Sequence, residues 1–315
     1  MSLSIMMVGS EALPFSKTGG LADVLGALPL ALGRLGHRVT LVTPKYRNVQ
    51  AQGTTRTIHV TGVGGAISDT KVIEVPLAES VKAVLVDRPE LYNRETLYGA
   101  GGDYPDSPRR FAFLCRAALE YALQSGEAFD ILHAHDWQGG LAPVYLRTRY
   151  ANQPRLSGMT AIFTIHNLAY QGNYPADWLA PLELGREMLS LDALEFWGQI
   201  SLLKGGIRFS DSITTVSPTY AREILTEEHG FGFEGVLATR IADLHGILNG
   251  IDTRVWNPAQ DTLLPRHFSR DDLKGKAACK AALCSLLAPV LRPARATDGR
   301  AFEGALVRPA YAAMQ

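Results

Sequence analysis

The chain has 315 residues, enough for one large or two average domains and a sizeable buried core. Its 31 Lys plus Arg balance its 31 Asp plus Glu, so no global field draws in nucleic acid or an anionic membrane, and an anionic ligand must be held locally. Three cysteines, Cys115, Cys279 and Cys284, without Cys-x-x-Cys spacing, argue against a disulfide framework or a zinc site and fit a reducing, cytoplasmic compartment.

The apolar stretch Ile5 to Val8 lacks the basic flank and the length of a secretory signal, and no run reaches the ~18 apolar residues that span a bilayer. Leu3 to Val8 reads as a short buried strand. From Gly20, Leu21, Val24, Leu25, Leu28 and Leu32 recur at helical spacing, with Pro29 as a point of bending. Gly33 and Gly36 lead to a second strand, Arg38 to Thr43, stopped by Pro44, and the three elements form a βαβ unit with parallel strands.

From about Thr57 to Val86, short alternating runs separated by Gly-rich turns such as Gly62-Val63-Gly64-Gly65 predict antiparallel hairpins, an insertion in the α/β pattern. Helical spacing returns over Pro108 to Leu123. A strand at Asp130 to His133, a helix after Gly140, and strands at Thr160 to Ile165 and Ser212 to Val216 follow. Ser217-Pro218 then opens a helix, serine as cap and proline in the first turn. Strands alternating with helices predict an α/β fold with a doubly wound, mostly parallel sheet whose ligands lie outside the carboxyl ends of the strands. Lys17, Asp136, His166 and Asn249 all follow predicted strands, so four chain-distant positions converge on one crevice.

Four loops carry candidate chemistry. In the first, Lys17-Thr18-Gly19-Gly20 opens a helix, where glycines permit close approach, the unpaired amides and dipole favour a phosphate, and Lys17 adds a point charge. The same residues also suit a plain strand-to-helix turn with a solvated lysine. A Walker loop is excluded, because Ser16 stands where a glycine precedes the Lys-Thr pair and Glu11 where the first glycine belongs. In the second, His133 and His135 share a strand face, so a metal pair with Asp136 as third ligand, as in a metal-dependent hydrolase, competes with a buried, hydrogen-bonded structural role; the pattern alone favours the structural role. In the third, His166 at a strand end suits a hydrogen bond to a sugar hydroxyl or a stabilising contact with developing positive charge, although a lone histidine is more often structural. The fourth, Asn249-Gly250, is chiefly a turn signal. The first βα turn lacks Gly-x-Gly-x-x-Gly, which speaks against a nicotinamide enzyme.

Together and in this order, Lys17-Thr18-Gly19-Gly20-Leu21-Ala22-Asp23, His135-Asp136-Trp137, Thr164-Ile165-His166-Asn167 and Asn249-Gly250-Ile251-Asp252 closely resemble bacterial glycogen synthases and plant starch synthases. Asp103-Tyr104-Pro105-Asp106, Ala169-Tyr170-Gln171-Gly172, Lys204-Gly205-Gly206-Ile207 and Thr215-Val216-Ser217-Pro218-Thr219-Tyr220 add to the likeness, which runs from about Ser4 to Ala282. The resemblance implies a Rossmann-like domain, the N-terminal half of a GT-B fold, that mainly receives an α-1,4-glucan acceptor. It implies retaining transfer of glucose from ADP-glucose, with no metal and no further cofactor.

By the same resemblance Lys17, Thr18, Gly19, Gly20 and Asn249 bind the donor. His166 sits against the transferred glucose, and Asp136 and Asp23 line the cleft as its catalytic carboxylates. Residues 1–260 correspond to the acceptor-side domain and 261–282 to the start of the interdomain linker. Residues 283–315, rich in Arg, Pro and Ala, depart from the family and read as a frameshifted or truncated end. The second domain's Arg/Lys pair, carboxylate and Gly-rich loop are not recognisable here. The chain alone is therefore expected to have no appreciable transferase activity, and a non-catalytic glucan-binding remnant is the alternative.

Overall fold

The computed structural model describes residues 2–61, 67–99 and 102–291. Two compact units divide the chain, Met1–Asn249 and Gly250–Gln315.

The first unit is built on a sheet of nine strands among the described residues. They are β1 (Ser4–Val8), β2 (Arg38–Pro44), β3 (Thr54–Thr61), β4 (Ile67–Ala78), β5 (Val81–Asp87), β6 (Ile131–His135), β7 (Thr160–Ile165) and, after a separate small sheet, β11 (Ser212–Thr215) and β12 (Leu244–Gly246). The small sheet holds β8 (Asn173–Pro175), β9 (Glu195–Phe196) and β10 (Gln199–Ser201), in the order β8-β10-β9. The large sheet runs β12-β11-β7-β6-β1-β2-β5-β4-β3.

The βαβ unit forms as expected: β1 and β2 pair in parallel around the helix Gly20–Arg34, which continues through Pro29. Period-two alternation sends the residues of β1 to opposite faces. Ile5 and Met7 join Leu21, Leu25 and Leu41 in one apolar cluster, while Met6 and Val8 join Phe111, Leu114 and Trp137 in a larger one. Both faces of the sheet are thus covered, the first by Gly20–Arg34 and the second by Ser107–Gln124, which is the doubly wound arrangement.

The insertion is antiparallel along β3-β4 and β4-β5, but it begins at Thr54, and β5 rejoins the parallel system by pairing with β2. The Gly62-Val63-Gly64-Gly65 turn lies outside the described residues. The helix after Gly140 is Leu141–Arg147. Ser217 caps the helix Pro218–Glu223, its Oγ accepting from Tyr220 N at 2.8 Å.

Apolar spacing does not announce the helices Pro89–Tyr92, Leu202–Phe209, Glu227–Gly230 and Glu234–Ala238, of which the second is the longest. Leu202–Phe209 is buried beside β7, and a Cβ added at Gly206 would stand 2.3 Å from the Phe163 ring, so this close approach needs glycine.

In the second unit the main element is the helix Lys274–Leu291. It runs beyond Ala282 because Ala281, Ala282, Leu283, Leu286 and Leu287 are good helix formers. Residues 292–315 lie outside the described residues. No helix among the described residues is long and apolar enough to cross a membrane.

Candidate active site

Strand β1 lies between β2 and β6, so the chain leaves its carboxyl end in one direction and returns on the other side, which opens a crevice at the β1/β6 boundary. The loops after β1 and β6 flank that boundary, and the loop after β7 adjoins it.

In the first loop Lys17 Nζ pairs with Asp23 Oδ1 at 2.8 Å, both side chains well exposed. The loop is organised from beneath by Glu11, a buried residue that accepts from Thr18 N, from Thr18 Oγ1 at 2.7 Å and from Gly19 N at 3.2 Å. The amides of Thr18 and of the N-cap Gly19, which the loop would otherwise offer to a phosphate, are thus held by an internal carboxylate. Burial raises the Glu11 pKa, and the bonds from Thr18 and Gly19 pull it back. In the sequence Glu11 only breaks a Walker pattern; a lone glutamate ahead of a Gly-Gly turn carries no sign that it caps the turn.

In the second loop Asp136 takes a left-handed backbone, φ 51°, uncommon outside glycine though tolerated by aspartate. That conformation turns its carboxylate toward the next strand end, where Oδ1 accepts from His166 N at 2.7 Å. Burial raises the Asp136 pKa, opposed by the His166 ring and the amides of His166 and Asn167. Trp137 is buried edge-on to Phe111 and packs beside Tyr174. Gly172, at φ 58°, lies so close over the indole that a Cβ there would come 2.7 Å from it.

The histidines form a row, with His135 buried and His133 and His166 half-buried. His133 and His135 share a face, with ring centroids 4.1 Å apart. His133 Nε2 lies 2.7 Å from Thr164 Oγ1, which in turn lies 2.6 Å from Thr214 Oγ1. His135 Nδ1 lies 3.0 Å from His166 Nε2. Burial lowers all three pKa values, His133 to about 3, so the rings are neutral at neutral pH. With these nitrogens engaged and Asp136 directed to a backbone amide, no group of three or more His, Cys, Asp or Glu among the described residues is arranged to hold a metal ion.

Further residues surround the crevice. Tyr98 accepts from Gln138 Nε2, and its pKa is raised by burial and then by the negative charge of Asp136, Glu11 and Asp103. Asp103 accepts from Tyr174 OH at 2.9 Å. Fully buried Arg110 fixes the backbone ahead of Tyr98 by donating to the carbonyls of Leu91 and Leu97 at 2.9 and 3.0 Å. Tyr220 OH accepts from Leu168 N at 3.1 Å and steadies the loop after His166.

The fold therefore joins Lys17 to Asp23 and Asp136 to His166. Asn249 lies past β12, exposed, without a hydrogen bond to the other four among the described residues.

A doubly wound α/β unit with a histidine, a carboxylate and a lysine loop at its strand ends defines the class. The family model described as starch synthase catalytic domain matches residues 4–239, and the chain belongs to that family. It is 47% identical over 298 residues to a glycogen synthase of Anaeromyxobacter dehalogenans (strain 2CP-1 / ATCC BAA-258), covering 92% of this chain and 61% of that protein. To the glycogen synthase of Myxococcus xanthus (strain DK1622) it is 45% identical over 285 residues, covering 88% and 59%. Among solved structures, the catalytic domain of starch synthase IV from Arabidopsis thaliana bound to ADP and acarbose superposes with a TM-score of 0.81 at 35% identity, covering 91% of this chain and 59% of that one. The chain thus spans about three fifths of the length of these relatives.

Proposed function

We propose that this chain is the acceptor-side part of an ADP-glucose-dependent glucosyltransferase that lengthens an α-1,4-glucan with retention of configuration, in glycogen biosynthesis. The observation that carries the reading is the Asp136–His166 pair at the ends of β6 and β7 in a chain of the starch synthase family. That the Arabidopsis relative is bound to ADP and acarbose supports a nucleotide and an oligosaccharide as ligands. Residues 1–260 act as the acceptor-side domain, and 261–282 begin the connection to a nucleotide-gripping domain.

Each residue has a task. Lys17, held toward Asp23, meets the donor's diphosphate; because Glu11 already engages the Thr18 and Gly19 amides, the loop acts chiefly through the lysine charge and the helix dipole. Gly20 allows the donor close to the helix start, and Asn249 contributes from the loop after β12. His166, neutral, hydrogen-bonds the transferred glucose, while Asp136 and Asp23 position hydroxyl groups. Departure of ADP needs positive charge facing it, and Lys17 supplies only part.

The chain alone is therefore expected to bind without transferring. Calorimetry with maltoheptaose and with ADP-glucose, alongside radiolabelled glucose incorporation into glycogen, tests both points. Saturable binding that Asp136→Ala and His166→Ala weaken about tenfold or more is expected, with no turnover. Absence of binding to either ligand overturns the reading, and incorporation at an ordinary synthase rate overturns the claim that this chain does not transfer.

A further inference from the structure

His135 and His166 meet at the ends of adjacent strands. The β6–β7 register sets His135 opposite Thr164, two residues before His166, and brings Nδ1 of His135 to 3.0 Å from Nε2 of His166. Burial keeps both rings neutral, so the single proton of the donating ring occupies this contact and the accepting ring carries its own proton on its other nitrogen.

One feature chooses the arrangement. Nε2 of His135 is buried and meets no hydrogen-bond partner among the described residues, while the ring's neighbour His133 turns its own Nε2 to Thr164. A proton on Nε2 of His135 would be an orphaned buried N–H, whereas on Nδ1 it makes a bond.

We propose that His135 is a positioning residue: it donates Nδ1–H to Nε2 of His166 and so fixes His166 as the Nδ1–H tautomer, with that N–H as the ring's donor toward a sugar hydroxyl. The second half of this statement rests on the reading of His166 as facing the transferred glucose; the tautomer does not.

The test is a long-range ¹H–¹⁵N correlation spectrum of the full chain labelled with ¹⁵N-histidine at neutral pH, with His166 assigned through His166→Gln. A protonated Nδ1 and an unprotonated Nε2 at His166 are expected. His135→Asn, whose amide nitrogen falls near the position of Nδ1, is expected to keep that pattern. His135→Phe, which lacks a donor, is expected to release His166 to a mixture containing Nε2–H. A wild-type His166 protonated on Nε2 overturns the proposal, as does a folded His135→Phe chain with an unchanged pattern. The wild-type and Asn spectra decide the matter even where the Phe variant fails to fold. Adding ADP-glucose and maltoheptaose separates the two readings: an intact Nδ1–H tautomer that no ligand perturbs supports the positioning role and overturns the sugar role, and a ligand-responsive Nε2–H tautomer does the reverse.

Discussion

Glu11 and the three histidines show how burial shapes individual residues here. Glu11 satisfies two backbone amides and a hydroxyl at the start of the helix Gly20–Arg34. Its replacement by alanine leaves them unpaired, and a loss of about 1–3 kcal/mol is expected from urea unfolding, with Glu11→Gln retaining part of it. An unchanged midpoint in Glu11→Ala would show that the cap is not needed. The histidines predict acid sensitivity. Their folded pKa values lie below the ordinary 6.5, so each stabilises the fold fully above that pH, and the contribution is lost as pH falls through 6.5 toward the folded value. For His133, whose folded value is about 3, the cost approaches about 1.4 kcal/mol per pH unit well inside that window. Glu11 and Asp136 work in the opposite sense, since a raised carboxyl pKa gives stability present below the ordinary carboxylate value and lost as pH rises through the folded one. The urea midpoint is expected to fall as pH is lowered below 6.5, and His133→Gln to reduce that slope; a slope indifferent to that change contradicts the assignment.

At the scale of elements, long periodic segments were legible and short ones were not. The helices Gly20–Arg34 and Ser107–Gln124 and the strands β1, β2 and β7 follow from apolar spacing that extends over several residues. The strands β8, β9 and β10 have two or three residues each, too few for any period to register, and they are held by tertiary packing: Tyr174 beside Trp137, with Phe196 and Ile200 in the core. The helix Leu202–Phe209 contains two adjacent glycines that depress helix propensity; packing against Phe163 overrides it. Gly206→Ala is accordingly expected to destabilise by roughly 1–3 kcal/mol through overpacking. Gly235→Ala, where nothing lies within 4 Å of the added carbon, is expected to be neutral or slightly stabilising. Equal thermal shifts for the two would refute this account of the helix contact.

For the whole molecule, the apolar core closes within the first unit, its last member being Leu237. A chain ended after Asn249 is expected to unfold cooperatively, with a urea midpoint close to that of the full chain, and to co-sediment with glycogen to the same extent; a non-cooperative transition would show that the second unit is needed. The residue patterns by themselves determined the α/β class, the parallel βαβ start, the family and the loops that hold the candidate residues, because these depend on local periodicity and on short motifs read along the chain. The tertiary structure alone decided that Glu11 lies under the Lys17 loop, that Asp136 turns to the backbone of His166, and that His135 touches His166. The last two relations depend on strand order and register, which bring together groups 30 or 31 positions apart, and all three on burial, which sets their charge.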